Sequence, residues 1–139
     1  MTIEGIENEL IEDFALFETW DEKYEYIIDL GKKLDPLGAE FKTTERKIKG
    51  CQSSVWLVSE FENGSVKFRA DSDSVIVKGL VSLLIKVLSD QKPADIIKSD
   101  LAFMDKIGLM QHLAQTRSNG LLAMVKQMKL DAMVYQSQA

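Results

Sequence analysis

The chain has 139 residues, of which 45% are hydrophobic and 28% charged, and its net charge is −5. Those values suit one globular domain over residues 1–139, with nothing resembling a disordered tail. The acidic total argues against general nucleic-acid binding, which needs clustered Lys and Arg to displace counterions from phosphates, but leaves room for a local basic patch.

A first helix is predicted after a Thr2 cap. Ile3, Ile6, Leu10, Phe14 and Phe17 follow helical spacing, and Glu4, Glu7, Glu9 and Glu12 keep the other side polar. Thr19 and Glu22 form a capping-box pattern that starts a second helix with Trp20, Tyr24, Ile27, Ile28 and Leu34 as its buried stripe. Asp35-Pro36 marks the exit. Residues 37–47 lack periodicity and read as a surface connection. Residues 42–49 depart from the acidic balance, with Lys42, Arg46, Lys47 and Lys49 against Glu45 alone.

The character then changes. Ile48, followed by Val55 to Phe61, is rich in β-branched and aromatic residues, and Asn63-Gly64 is a type I′ hairpin signal. Val66, Phe68 and Ala70 alternate with Lys67, Arg69 and Asp71, giving one buried strand face and one wet face. A small antiparallel sheet of about three strands is predicted, a size that needs helices packed on it. Asp71, Ser72, Asp73 and Ser74 are successive N-cap candidates. The helix after them, Val75 to Leu88, is apolar nearly all round and belongs in the middle of the domain. It is interrupted by Lys78, Gly79, Ser82 and Lys86 and is too short to span a bilayer.

Pro93 opens a short helix to about Lys98, and another covers Ala102 to Ile107 and stops at Gly108. The last helix starts near Thr116, with Leu121, Leu122, Val125, Met128, Ala132 and Tyr135 inward. Gln136 to Ala139 are expected to fray. Helices, a hairpin sheet and further helices make an α+β fold.

One Cys and one His cannot assemble a thiolate or imidazole metal cluster, and the chain cannot hold an iron–sulfur cluster alone, so no metal site is expected. No nucleophile elbow, P-loop or dinucleotide fingerprint is present. Cys51 carries the chemical interest. A free cysteine is commonly a small buried hydrophobe. This one sits in Lys47-Ile48-Lys49-Gly50-Cys51-Gln52-Ser53-Ser54, between a short strand and a longer one. Gly50 permits a tight turn, and Gln52 and the serines are polar turn formers. Lys47 and Lys49 can favour the nucleophilic thiolate. The residues alone leave a reactive and a structural thiol both open. A lone thiol without a secretory leader pattern fits a reducing cytoplasm.

Four blocks carry a resemblance. Gly50-Cys51-Gln52-Ser53-Ser54-Val55-Trp56 resembles the G-C-Q-S-x-V-W motif of the SufE family of sulfur-acceptor proteins. Asp71-Ser72-Asp73-Ser74-Val75-Ile76-Val77-Lys78-Gly79-Leu80 is similar to that family's D-S-D-x-x-I-V-K-G-L segment. His112-Leu113, Arg117 and Gly120-Leu121 match its H-L-x-x-x-R-x-x-G-L spacing. Trp20-Asp21-Glu22-Lys23-Tyr24 with Ile27-Ile28-Asp29-Leu30-Gly31 resembles its W-x-x-K-Y…I-I-x-L-G helix. The blocks stand in family order and cover nearly the whole chain.

The resemblance implies a three-stranded sheet with helices packed on it, similar to the IscU scaffold fold. It implies a sulfur acceptor and activator for a pyridoxal-phosphate cysteine desulfurase of the SufS type. Cys51 would take the outer sulfur as a persulfide and pass it to a SufBCD-type scaffold. The pyridoxal phosphate would reside in the desulfurase, leaving this chain with no cofactor, and a homodimer stays open. Scaffolds use several metal-ligating cysteines, whereas this chain has one. Asp73 and Ser74 are capping groups first, and the resemblance brings their helix start near the thiol loop. His112 is more often a hydrogen-bonded structural residue than a base. Arg117 suits either an anionic persulfide or an acid in the fold.

One departure is Ala114-Gln115-Thr116, where many members read Thr or Ser, then Pro, then Ser. The missing cap at Ala114 costs the last helix about 1 kcal/mol unless Thr116 takes it over. The alternative reading is a CsdE-like paralogue serving another desulfurase and acceptor. A third is a binding module whose Cys51 is only structural.

Overall fold

The computed structural model describes residues 1–138. Thr2 caps α1 (Ile3–Ala15), its Oγ1 accepting from the Gly5 N–H at 3.0 Å. Thr19 caps α2 (Trp20–Lys32) in a reciprocal pair with Glu22, as the sequence predicts. After a 3₁₀ turn at Ala39–Phe41 come β1 (Val55–Glu62) and β2 (Ser65–Ser72). They pair antiparallel from Val55 opposite Ser72 to Glu62 opposite Ser65, closed by left-handed Asn63 and Gly64. Then follow α3 (Val75–Leu88), α4 (Pro93–Lys98), α5 (Phe103–Lys106), α6 (Leu109–His112) and α7 (Gln115–Gln138). The α+β order is as predicted.

The named sheet has two strands, not about three. The segment around Ile48 contributes a single bridge, Lys47 to Trp56, flanked by Ile48 N–H to Val55 O at 2.8 Å and Leu57 N–H to Arg46 O at 3.0 Å. A turn over residues 44–46 and another at Gly50, where φ is +92°, leave too few residues between them for a ladder. Residues 37–47 are a strap across the outer face of the hairpin. Arg46 and Arg69 both lie over the Phe41 ring, and Lys42 lies over Trp56. Lys42 and Lys78 grip the buried Asp71 at 3.1 and 3.3 Å.

The core gathers α1, α2, the inner hairpin face, α3 and α7 around Leu80, Leu83, Leu84, Val87 and Leu88. α3 is central as expected, but its first turn is not enclosed: Val75 is 61% exposed. Leu122 faces solvent instead of the core. Buried Ser118, Leu121, Met124, Met128 and Ala132 define one face of α7, and a helix advances 100° per residue, so Leu122 falls outside it. Thr116 lies inside the first turn of α7 and does not take over the cap; Ser118 N–H donates to Ala114 O at 3.0 Å. α7 continues through Gln138, and the expectation for Ala139 lies outside the described residues. Among the described residues no helix is long and apolar enough to cross a membrane.

α2 and α3 touch backbone to backbone. A Cβ on Gly31 would stand 2.7 Å from the Gly79 nitrogen, and one on Gly79 would strike the Ile27 carbonyl. Inside a helix, Gly→Ala ordinarily gains ~1 kcal/mol of propensity. Here the new methyl meets backbone that cannot rotate away, and overpacking costs ~1–3 kcal/mol. Gly79→Ala is therefore expected to lower stability by about 1–2 kcal/mol, read as a lower urea midpoint at unchanged m-value. A raised midpoint would show that the two helices can part without loss.

Candidate functional site

Cys51 sits at the tip of the loop that leaves the 46–48 pairing and re-enters the sheet at Val55. The side chain is half-buried. It borders a cavity of about 280 Å³ between the root of the hairpin, the first turns of α3 and the start of α7. Val55, Val77, Leu80, Val81, Leu121 and Met124 form its apolar side. Gln52, Ser53, Ser74, Thr116 and Arg117 form the polar rim, with Ala114 between them.

The Cys51 thiol donates to the Gly120 carbonyl at 3.5 Å. Gly120 makes this seat available: a Cβ there would stand 3.2 Å from Sγ. Burial pushes the Cys51 thiol above its ordinary pKa. The expected help from Lys47 and Lys49 is absent. Both are exposed, and burial is the only cause of the shift. Burial therefore disfavours the thiolate at this seat relative to a solvent-exposed cysteine.

The junction between β2 and α3 holds the loop. Ser54 N–H donates to Asp73 Oδ1 at 3.0 Å, and Asp73 N–H returns to Ser54 O at 3.2 Å. Ser72 Oγ donates to the same Ser54 carbonyl at 2.8 Å. Ser74 Oγ caps α3 by accepting from Val77 N–H. Of the two expected capping residues, Ser74 is the cap and Asp73 is a clamp on the loop. Burial alone would raise the pKa of Asp71. Hydrogen bonds from Lys42, the Ser72 N–H and Lys78 outweigh it and hold the carboxyl below its usual value.

The structure thus brings Cys51, Gln52, Ser74 and Arg117 to one cavity, with Gly50 and Asp73 setting the loop that carries the thiol. Arg117 is exposed at the rim and makes no ion pair among the described residues. His112 is not at the cavity. Its ring stacks on Trp20 with centroids 3.9 Å apart, its Nδ1 lies 2.9 Å from Gly108 O, and its carbonyl accepts from the Tyr24 hydroxyl. This pins the segment entering α7 against α2. Sequence reasoning includes Ser54, Ser72, Gly120 and Leu121 in the matched blocks but does not foresee their contacts in the site, and it gives no site role to Met124.

The fold and site define an α+β protein built around one sheltered thiol on an anchored loop. Residues 8–132 match the SufE family, described as an Fe-S metabolism associated domain. The chain is 37% identical over 130 residues to an uncharacterised SufE-like protein of Rhizobium meliloti, covering 90% of this chain and 93% of that one. It is 42% identical over 135 residues to Arabidopsis thaliana SufE-like protein 1, chloroplastic/mitochondrial, covering 94% of this chain and 36% of that one. A hypothetical protein of Thermus thermophilus, solved in solution, shares the fold with a TM-score of 0.79 at 16% identity, covering 95% and 96% of the two chains. The chain belongs to the SufE family, and with it to Fe–S metabolism.

Two outcomes follow from the seat. Gly120→Ala is expected to raise the alkylation rate of Cys51 at pH 7 severalfold without lowering the melting temperature, since the sulfur can yield where backbone cannot. A faster rate accompanied by lower stability would mean general loosening instead. For pH, the thiol's folded pKa is raised, so stability from keeping it neutral is full below the unfolded value of ~8.5. It is lost as pH rises through the higher folded value. Wild type is expected to lose stability above about pH 8.5 relative to Cys51→Ser, and parallel denaturation curves across pH 7–10 would refute this.

Proposed function

We infer that this protein is a sulfur carrier that accepts sulfane sulfur on Cys51 from a cysteine desulfurase of the SufS type and activates that enzyme by relieving it of its product. The observation that carries this reading is the placement of the chain's single thiol: at a loop tip, half-buried, and bordering an apolar cavity. A persulfide is reactive toward water-borne thiols and oxidants, and such a seat shelters it between donor and acceptor.

In the reaction, the loop swings out and Cys51 loses its proton to solvent. The thiolate attacks the outer sulfur of the donor's cysteine persulfide. A new S–S bond forms to Cys51 as the donor's S–S bond breaks, and the donor cysteine leaves as a thiolate. The sulfane sulfur changes owner with no net oxidation or reduction. Gln52 and Ser53 flex with the loop. Arg117, at the rim, stands where its guanidinium can neutralise the anionic persulfide when the loop returns. The onward acceptor is an iron–sulfur scaffold of the SufBCD type, in a reducing compartment such as the cytoplasm. Pyridoxal phosphate belongs to the donor, and the transfer asks no cofactor of this chain.

Incubation with a SufS-type desulfurase and cysteine, followed by mass spectrometry, is expected to place a reductant-labile sulfur adduct on wild type and none on Cys51→Ser. The serine variant is expected to keep the wild-type circular dichroism spectrum, since oxygen replaces sulfur without needing new space. A labile adduct on the serine variant, or none on wild type beside an active desulfurase, would reject the reading.

A further inference from the structure

A cationic surface lies beside the thiol loop on a chain whose net charge is −5. Arg46, Lys47 and Lys49 stand on the arm of the loop, and Arg69 faces them across β1, opposite Val58. All four are exposed, and none makes an ion pair among the described residues. The neighbouring cations Lys42 and Lys78 are different. Both are spent on buried Asp71 and bind the strap to α3, while the outer four, with Glu45 the one acid in their stretch of loop, stay outside any ion pair among the described residues. The strap also fixes where the charges sit. Arg46 and Arg69 lie 5.4 and 5.0 Å from the centre of the same Phe41 ring, so one aromatic side chain positions both guanidiniums. From the loop's re-entry at Val55 to Val58 is three residues, about 10 Å of strand. The patch therefore lies within one protein–protein footprint of Cys51.

We propose that this surface of Arg46, Lys47, Lys49 and Arg69 docks an acidic face of the protein that donates sulfur to Cys51. The proposal rests on the sulfur-carrier reading and specifies the surface that reading leaves open. Charge of the minority sign, gathered on one side, orients encounter. An acidic donor is repelled by the rest of this molecule and drawn to the side where the thiol waits. A nucleic acid is the competing occupant of a basic, aromatic-backed patch. The negative sum over the remainder of the chain disfavours a long polyanion that must pass over it.

The test is association kinetics of the full chain with a SufS-type cysteine desulfurase at low and high salt, alongside sulfur loading by mass spectrometry. Wild type is expected to associate about tenfold faster at low salt than at high salt. Lys47→Glu with Lys49→Glu, which carry no ring stacking, is expected to slow association about tenfold at low salt and to flatten the salt dependence. Arg46→Glu with Arg69→Glu is expected to do the same, and the lysine pair keeps the test valid if that variant loosens the strap. Lys92→Glu makes a charge change of the same sign beyond Gln91, which pairs with Val66 at the far end of β2; it is expected to alter association less than twofold. Wild-type rates in both lysine and arginine variants, with loading intact, would overturn the surface and leave the carrier reading standing. So would fluorescence-anisotropy binding of a single-stranded oligonucleotide that those variants lose while desulfurase binding persists. No loading of wild type would overturn both.

Discussion

Four consecutive residues where β2 becomes α3 hold three otherwise separate pieces of chain. Asp71 draws in the strap through Lys42 and α3 through Lys78. Ser72 and Asp73 take both backbone groups of Ser54, and Ser74 caps α3. The junction can do this because the hairpin register puts Val55 opposite Ser72, so the thiol loop ends beside the residues that start the helix. The position of Cys51 over its cavity follows from that register. The strap, the loop and the helix start are one construction, and Asp71, through Lys42, ties the strap that carries Arg46 and Lys47 to the junction that anchors the thiol loop.

The seat half-buries the thiol and disfavours its thiolate together. Burial raises its pKa, and the Gly120 carbonyl accepts its proton's hydrogen bond; both favour the neutral form. Activation then becomes a matter of position. Moving the loop outward breaks about three hydrogen bonds at Ser54, each worth ~0.5–1.5 kcal/mol net, besides the weak thiol contact. Their sum is comparable with gaps that leave an open state populated at ~0.1–10%. A partner needs differential contacts of only that size to capture the open loop.

The helices and the hairpin were legible because their signals are local. The Thr2 and Thr19 caps, Asn63-Gly64 and Pro93 each act within a few residues, and each stands where predicted. The third strand was not legible as a bridge, since its length depends on two turns that composition does not measure. Leu122 went inward on hydrophobicity alone, although the phase of α7 is set by contacts with α3 and α4. In the site, Cys51 and its loop could be read from the chain. The charge logic around it could not: Lys47 and Lys49 are adjacent in sequence, yet burial decides the thiol's ionisation. Ser54 and Ser72 stood in the matched blocks, but their contact could not be read, because it depends on their facing each other across the sheet root.

The glycines show why sequence underdetermines a site even when it flags the residues. Gly31, Gly79 and Gly120 all lie inside helices, where each costs ~1 kcal/mol relative to Ala. The chain sets them apart only by what a missing Cβ would meet. At Gly31 and Gly79 it is backbone of the facing helix, so the absent methyl brings α2 and α3 together and is a matter of stability. At Gly120 it is the sulfur of Cys51, on a loop that can move, so the absent methyl is a seat and a matter of reactivity. A side chain at Gly120 displaces one atom; at Gly79 it displaces a helix. The same local penalty therefore serves packing where a helix faces a helix and the thiol's seat where a helix faces a loop, and tertiary contact alone assigns which.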